Sequence, residues 1–541
     1  MTANAYAGRW VACVRGRIIA QGGTPEQARR AAQSRFKETP EIIFMPIDIP
    51  LNFPPAMDAI RTALQGRTVY LVGGAMRDVL LNRPIHDLDF ALERDGIQTA
   101  RLVANALHAD FYPLDPERDT GRVLISADDG PPMCIDFATF RGTDLESDLR
   151  GRDFTLNAIA LDIHTNHVYD PLGGAQDLKD KRLRLCSPSA CADDPVRVLR
   201  GVRLAAELGF RIQPEARTAM KAAAPGLSKI SPERLRDELF RILEGRDPAT
   251  CIRALDLLGA LNTILPELAS LKNLEQPAPH VHNGWDHTLA VLGHLDAILS
   301  ALASAYDPEK ASDYFSGLLV LRIGRYRQQL AGHFAHPITP GRSLRGLLFL
   351  AALYHDAAKP ITKQTDEAGQ LRFWEHDQQG AELAGARARS LALSNTEVDR
   401  LETIVRMHMR ILFHANRLIK EQKTPSRRAV YRFFRDAGPS GVEVCLLALA
   451  DFRATYEQSL PQDSWAAILD VVRQMLENWF ERPGEAVAPP QLLDGDDLMH
   501  ELDLKPGRQI GELLEAIREA QAMGEISTRE QALELARKKL A

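Results

Sequence analysis

The chain has 541 residues, 45% hydrophobic and 26% charged, with a formal net charge of −6. That length predicts about three or four globular domains, and the acidic balance argues against indiscriminate nucleic-acid binding while leaving room for a local basic groove. No apolar run reaches the roughly 20 residues of a membrane span. The start MTANAYAGRWVACVRGR has no basic-then-apolar leader pattern, and Cys13, Cys134, Cys186, Cys191, Cys251 and Cys445 form no CxxC pair. A cytoplasmic protein without disulfides, zinc ribbon or membrane contact is therefore expected.

In chain order, WVACVRGRIIAQ predicts two short strands about Arg15–Gly16, PEQARRAAQSRF a helix and EIIFM a strand. These form a small accessory unit over residues 1–45 with no catalytic constellation, followed by a Pro-rich linker, Pro46–Pro55. From Thr68 to about Asp180 the pattern is mixed. TVYLVGG, HDLDFALE, VLISA and PMCIDFATF read as strands, and AMRDVLLN and QTARLVANALHA as helices. Helices then dominate. DPVRVLRGVRLAAELGF is one, stopped by Gly209, and ERLRDELFRILEG another, stopped by Gly245. A helical region runs from about His280 to Thr455, and the break ERPGEAVAPPQ precedes a helical tail, Leu492–Ala541, with a turn at Lys505–Gly507. No fixed-period repeat occurs.

Three features of the mixed region carry chemistry. Gly73 and Gly74 close a strand and open a helix, so backbone amides can approach phosphate oxygens, and Arg77 one turn later offers a bidentate phosphate contact. A plain strand–helix turn is the alternative. Asp87 and Asp89 alternate along a strand, which places both carboxylates on one face, the arrangement a two-metal phosphoryl transfer needs. Two aspartates also suit Mg²⁺, which keeps some of its waters. Asp136, the one acid of CIDFATF, is either a third metal-facing carboxylate or a satisfied strand-end aspartate.

LVGGAMRDVLLNRPIHDLDFAL resembles the active-site motif of class II tRNA nucleotidyltransferases and bacterial poly(A) polymerases, within the polymerase-beta-type superfamily. The resemblance continues in order over about Val69 to Phe210. GRDFTLNAIALD, with Arg152, Asp153 and Asn157, is similar to the ribose- and phosphate-binding motif. DPLGGAQDL is similar to the hinge between head and neck, and DDPVRVLRGVRLAAELGF to the base-selecting motif. Asp194 and Arg197, three apart at the start of a predicted helix, share a face there and match the Watson–Crick edge of cytosine or adenine with one acceptor and one fork of donors. The resemblance implies catalysis by Asp87, Asp89 and Asp136, nucleotide binding by Gly73, Gly74, Arg77, Arg152, Asp153, Asn157, Asp194 and Arg197, and protein side chains in place of a template.

Three positions depart from the family pattern. Asp193 stands where Glu is usual, and Gly151 replaces the first of two arginines. The segment ATFRGTDLESDLRGRDF is short where many full CCA-adding members carry a flexible stretch implicated in switching from C to A addition. Full CCA addition, CC addition, A addition and poly(A) synthesis therefore all stay open.

The helical region places His287, the pair His355–Asp356, His376, His408 and Asp451 on or beside helices whose other faces are apolar. Imidazole and carboxylate donors suit several divalent ions, and an adjacent His–Asp pair can serve two of them. The order His, His-Asp, His, His, Asp resembles the two-metal form of the HD phosphohydrolase superfamily, with Lys359 as either a phosphate contact or a solvated lysine. In related bacterial enzymes such a domain is associated with hydrolysis of 2′,3′-cyclic phosphodiesters and phosphomonoesters. RLIKEQKTPSRRAVYRFFRD interleaves cations with Tyr431, Phe433 and Phe434, either as an RNA surface or as core aromatics under a solvated charged face.

The expected fold is α+β. A polymerase-beta-type nucleotidyltransferase head of mixed sheet and helices (residues 55–180) leads to an all-α neck (181–270), an HD helical domain (280–456) and a helical tail (490–541). The expected function is addition of CCA, or part of it, to the 3′ end of tRNA from CTP and ATP, with Mg²⁺ in the head and a divalent metal of unspecified identity in the HD domain. Two competing readings share these motifs: a poly(A) polymerase, and an HD phosphohydrolase whose head only binds nucleotide or RNA.

Overall fold

Alternation along DLDFAL sets the architecture of the first half. Leu88, Phe90 and Leu92 go to one side of a sheet and Asp87, Asp89 and Ala91 to the other. The computed structural model describes residues 10–15, 17–33, 39–44, 52–126, 133–306, 313–339 and 341–540. The chain divides into two units, Met1–Lys229 with Leu258–Ala260, and Ile230–Leu257 with Leu261–Ala541.

The first unit begins with β1 (Trp10–Val14), β2 (Arg17–Gly22), α1 (Pro25–Gln33) and β3 (Glu41–Phe44), in an antiparallel sheet ordered β2-β1-β3. This is the predicted pattern; the turn residue Gly16, the end of the predicted helix and most of the Pro-rich linker lie outside the described residues.

Seven strands form the larger sheet: β4 (Tyr70–Val72), β5 (Asp87–Leu92), β6 (Asp110–Asp115), β7 (Thr120–Ile125), β8 (Met133–Thr139), β9 (Ala160–Asp162) and β10 (Val168–Tyr169). Their order is β10-β9-β4-β5-β8-β7-β6, with β5 and β8 parallel and every other neighbour antiparallel. One face builds the main core, where Phe90 stacks on Phe137 with ring centroids 4.9 Å apart, worth about 1 kcal/mol beyond area burial. The opposite face packs Val72, Ala91, Leu149, Ala158, Ala160 and Leu172. Strands β6, β9 and β10 and a helix at Ala56–Ala63 were not legible in the pattern. β6 carries Pro113 and lies at a sheet edge, where a missing donor is tolerated, and β9 and β10 are too short to show a period.

The first unit also includes helices α2 (Gly73–Leu80), α3 (Gly96–Leu107), α4 (Leu145–Arg150), α5 (Gly174–Lys179) and α6 (Arg197–Leu208). The helix predicted from Asp194 does not begin there. Asp194 is extended (φ −145°, ψ 94°) and closes a short helix, Ala190–Asp193, while Arg197 opens α6. Pro195 disfavours the helical conformation at the residue before it, so Asp194 and Arg197 do not share a helix face.

The second unit is helical. It includes α7 (Pro232–Glu244), α8 (Gly284–Ala301), α9 (Leu344–Tyr354), α10 (His376–Ser390), α11 (Asn395–Met407), α12 (Met409–Glu421), α13 (Arg427–Ala437), α14 (Gly441–Tyr456) and α15 (Gln462–Phe480). Every residue of α9 but Arg345 is buried, as is nearly all of α14, so these two helices form the centre of the unit. An antiparallel hairpin, Lys363–Thr365 with Leu371–Phe373, interrupts the predicted all-helical pattern directly before α10. Tail helices α16 (Gly495–Leu502), α17 (Arg508–Met523) and α18 (Arg529–Leu540) share a small core of Leu498, Ile510, Leu513, Ile517 and Ala532.

On α13 the aromatics Tyr431, Phe433 and Phe434 are core residues. Its cations Arg428 and Arg432 pair with Glu519, and Arg435 with Glu515, both on α17. The stacking surface considered for RNA is therefore absent from α13. Among the described residues no helix is long and apolar enough to cross a membrane.

Candidate active sites

Chain geometry draws the head's predicted residues around the start of α2. Gly73 has φ +74°, a conformation that costs any L side chain strain. A Cβ there would lie 2.8 Å from Asp89 Oδ2 and 3.6 Å from Arg152 Nη1. The turn therefore admits only glycine because the Asp89 carboxylate sits against it. Asp89 pairs in register with Asp136 on the parallel strand β8 and with Val72 on β4, and Asp87 pairs with Cys134. Burial, then the charge of Asp136, pushes the Asp89 carboxyl up to about 6, against the pull of Arg152.

Asp136 shares the face of Asp87 and Asp89, but both its oxygens accept from Arg122 on β7, at 2.6 Å each. A bidentate charged pair of this kind is among the strongest polar contacts. Neither Asp87 nor Asp89 has such an arginine among the described residues. Arg77, 8% exposed, gives two donors to Asp78 and one to Asn157 Oδ1 at 3.1 Å. Its guanidinium is thus engaged in holding Asn157.

A second layer fixes the ribose-motif residues. Asn157 Nδ2 and the Phe154 amide donate to Asp153 Oδ1 at 3.1 and 2.7 Å, and Arg200 to Asp153 Oδ2 at 3.2 Å. Burial raises the Asp153 carboxyl, but Arg200 and these donors outweigh it and hold it below the usual range. Arg152 is gripped through Nε and Nη2 by Asp148, which is 2% exposed. Arg197 donates to three backbone carbonyls, Gly151 at 2.9 Å, Arg152 at 3.2 Å and Ala190 at 3.1 Å. Asp194 is half-buried ahead of it. Asp148, Arg122 and Arg200 were missed by sequence reasoning. Asp148 lies four residues before Arg152, the spacing of a helical ion pair, which was the available signal.

In the second unit, the six predicted donors come from five helices or their ends: His287 (α8), His355 and Asp356 (end of α9), His376 (start of α10), His408 (between α11 and α12) and Asp451 (α14). All are at most 8% exposed. They converge as two trios, His287–His355–Asp451 and Asp356–His376–His408, with the ligand atoms of each trio within 4.8 Å of one another. His287 Nε2 lies 3.1 Å from Asp451 Oδ1 and 3.7 Å from Asp356 Oδ2, and His355 Nε2 3.3 Å from Asp356 Oδ2. Neither nitrogen is aligned for a hydrogen bond to any described residue, although both are buried. Buried donor atoms that crowd together without bonding one another fit a common cation between them. His355, His376 and His408 each have Nδ1 on a backbone carbonyl, of Ala352, Phe373 and Val405 respectively. Such second contacts fix the ring and leave Nε2 as the atom that could face a cation.

Lys359 lies at this site, 2.7 Å from Asp356 Oδ2 and 7% exposed, so it is not a solvated lysine. The charges of His355 and Lys359 overcome burial and hold Asp356 well below the carboxylate range. Sequence reasoning missed His280, whose ring centroid lies 5.2 Å from that of His287, and Gln276, whose Oε1 accepts from Lys359 Nζ at 2.7 Å. Both sit on the irregular segment before α8, where no periodicity marks a residue as inward-facing.

Residues 69–184 match the Poly A polymerase head domain, 209–272 the probable RNA and SrmB-binding site of polymerase A, 318–454 the HD domain and 490–536 a putative domain 2 of tRNA nucleotidyltransferases. Residues 2–48 match a family of unknown function. The chain is 30% identical to a CC-adding tRNA nucleotidyltransferase of Geobacter sulfurreducens, over 90% of this chain and 95% of that one. It is 33% identical to an A-adding tRNA nucleotidyltransferase of Deinococcus radiodurans, over 85% and 93%. The fold is similar to a Thermotoga maritima CCA-adding enzyme solved with tRNA, with TM-score 0.53 at 18% identity over 91% of this chain and 97% of that one. A CCA-adding enzyme solved with ATP gives TM-score 0.56 at 19% identity over the same shares. With head, HD and tail matches in chain order and full-length relatives of 30% identity and more, the chain belongs to the family of tRNA nucleotidyltransferases that carry a poly(A)-polymerase-type head and an HD domain.

Proposed function

We propose that the chain extends the 3′ end of tRNA by adding C residues from CTP, stopping before the terminal A, and that its HD site hydrolyses phosphoesters. The placement of Asp89 carries the first part. Its carboxylate lies between the Gly73 turn, Arg152 and Asp136, so a triphosphate entering over the turn meets backbone amides, a guanidinium and an acidic pair at once. Asp87 and Asp89 would hold Mg²⁺, which when bound neutralises the triphosphate and favours the attacking hydroxyl. Gly73 and Gly74 leave room for the phosphates. Arg152, braced by Asp148, and Asn157, held by Arg77, position the ribose and phosphate, and Asp153 with Arg200 holds that layer in place.

The stop before A rests on the segment between β8 and Arg152. Instead of a long flexible stretch it forms α4, started by a reciprocal capping box between Asp144 and Ser147 and closed by the Asp148–Arg152 pair. An ordered helix of this length has no slack with which to re-form a base pocket of another shape.

In the second unit His287, His355, Asp356, His376, His408 and Asp451 would hold one or two divalent ions, which when bound supply an activated water for hydrolysis.

The test is incorporation on tRNA transcripts ending before the first C, after CC, or after CCA, with CTP and ATP supplied separately and together. Two C residues and no A are expected. Ordered addition through CCA, a single A on the CC transcript alone, or an unbounded A tail would each replace the proposal with the corresponding activity.

A further inference from the structure

We infer that Gln276 is a substrate-binding residue of the HD site, donating from Nε2 to a nonbridging oxygen of the phosphoester; this rests on the hydrolase reading proposed above. Gln276 Oε1 accepts from Lys359 Nζ at 2.7 Å. Because an ammonium only donates, this bond fixes which end of the amide is oxygen and leaves Nε2 as the remaining donor. Nε2 is buried and has no hydrogen-bond partner among the described residues. A buried amide donor without an acceptor costs about 1–3 kcal/mol, so its retention calls for a ligand.

What that ligand is follows from the neighbours. Lys359 contacts Asp356 Oδ2 at 2.7 Å, and Asp356 belongs to one trio while lying within 3.7 Å of His287 of the other. The amide therefore stands one side chain away from the junction of both trios. After its contacts with Asp356 and Gln276, the Lys359 ammonium retains one N–H. An unpartnered amide donor and an ammonium, joined through Gln276 Oε1, stand beside a cluster of metal-type ligands, and that combination recognises a phosphate oxygen. The segment is held in place on the carboxy-terminal side of Gln276. His280 packs on His287, and the Val281 amide donates to the carbonyl of Thr455, one turn beyond Asp451 on α14.

Gln276→Glu separates a binding role from a merely structural one. The variant keeps an acceptor for Lys359 but replaces the free donor with an anionic oxygen. The full-length chain, saturated with whichever of Mn²⁺, Ni²⁺ or Mg²⁺ supports turnover, is assayed on p-nitrophenyl phosphate and bis(p-nitrophenyl) phosphate. Circular dichroism and metal titration of the variant confirm folding and loading. The expected result is a KM raised about tenfold for the monoester dianion and about threefold for the diester, with kcat changed less. The metal-free protein should also lose affinity for inorganic phosphate by a similar factor in calorimetry. Unchanged KM in Gln276→Glu would mean that Gln276 only positions Lys359 and would overturn the inference while leaving the hydrolase intact. Absence of hydrolysis by the wild-type chain with every ion would remove the hydrolase reading itself, and this inference with it.

Discussion

His376 and His408 face each other nitrogen to nitrogen, Nε2 to Nε2 at 3.3 Å, while each gives its Nδ1 to a backbone carbonyl. A carbonyl accepts only from a protonated nitrogen, so in the neutral rings both Nε2 atoms carry lone pairs. Burial, then the charge of His376, pulls His408 down to about 4, which keeps it neutral near pH 7. Two lone pairs at that distance repel unless a cation lies between them. The second trio is therefore expected to bind a divalent ion tightly. Saturating Mn²⁺, Ni²⁺ or Zn²⁺ should raise thermal stability, by about 2.7 kcal/mol at a hundredfold excess over Kd, and a chelator should reverse it. His408→Ala should weaken binding at least about tenfold. A melting temperature indifferent to all these ions would rule out a metal site.

Asp89→Asn should depress nucleotide incorporation by more than about a hundredfold while sparing phosphoester hydrolysis. Gly73→Ala tests the same contact from the other side. Its positive φ costs about 1 kcal/mol in any alanine variant, and the new methyl would press on Asp89 Oδ2. Radiolabelled CTP incorporation and a hydrolysis assay on one preparation read both activities, and full incorporation by Gly73→Ala would show that Asp89 does not need its present position.

Arg197 distinguishes a brace from a base reader. Its donors hold the carbonyls of Gly151, Arg152 and Ala190, so Arg197→Ala should destabilise the head by about 2 kcal/mol. As a brace it should raise KM for CTP without changing the discrimination between CTP and ATP. A variant that changes the ratio between the two nucleotides instead would return Arg197 to base selection. Asp194→Ala should blur base choice more than it weakens triphosphate binding.

Glu397 gives the second unit an acid-sensitive lock. Burial raises its carboxyl, but Arg342 at 2.6 and 2.9 Å and the Ser394 cap outweigh it and bring it down to about 2. A carboxyl depressed in the folded state adds stability above its unfolded value, near 4.5, which is lost as pH falls toward 2. Glu397→Gln, leaving Arg342 unpaired, should cost about 3 kcal/mol at pH 6. In urea titrations the gap between wild type and variant should narrow as pH falls from about 4.5 to about 2. A gap independent of pH would mean that Glu397 acts by packing alone.

The strand alternation that sets Asp87 and Asp89 on one face was legible from the residues alone, because a period of two is local to the chain. So was the order of the six HD donors, since each sits beside an apolar helix whose pattern is visible. The HD donors' grouping into two trios depended on where five separate helices pack, which no spacing encodes. Likewise, the partners of Asp136, Arg77 and Arg197 come from other strands and loops, as far apart as Arg77 and Asn157. A guanidinium reads the same in a sequence whether it faces a ligand or braces a backbone; only the acceptors that tertiary packing brings within 3 Å or so decide which it does.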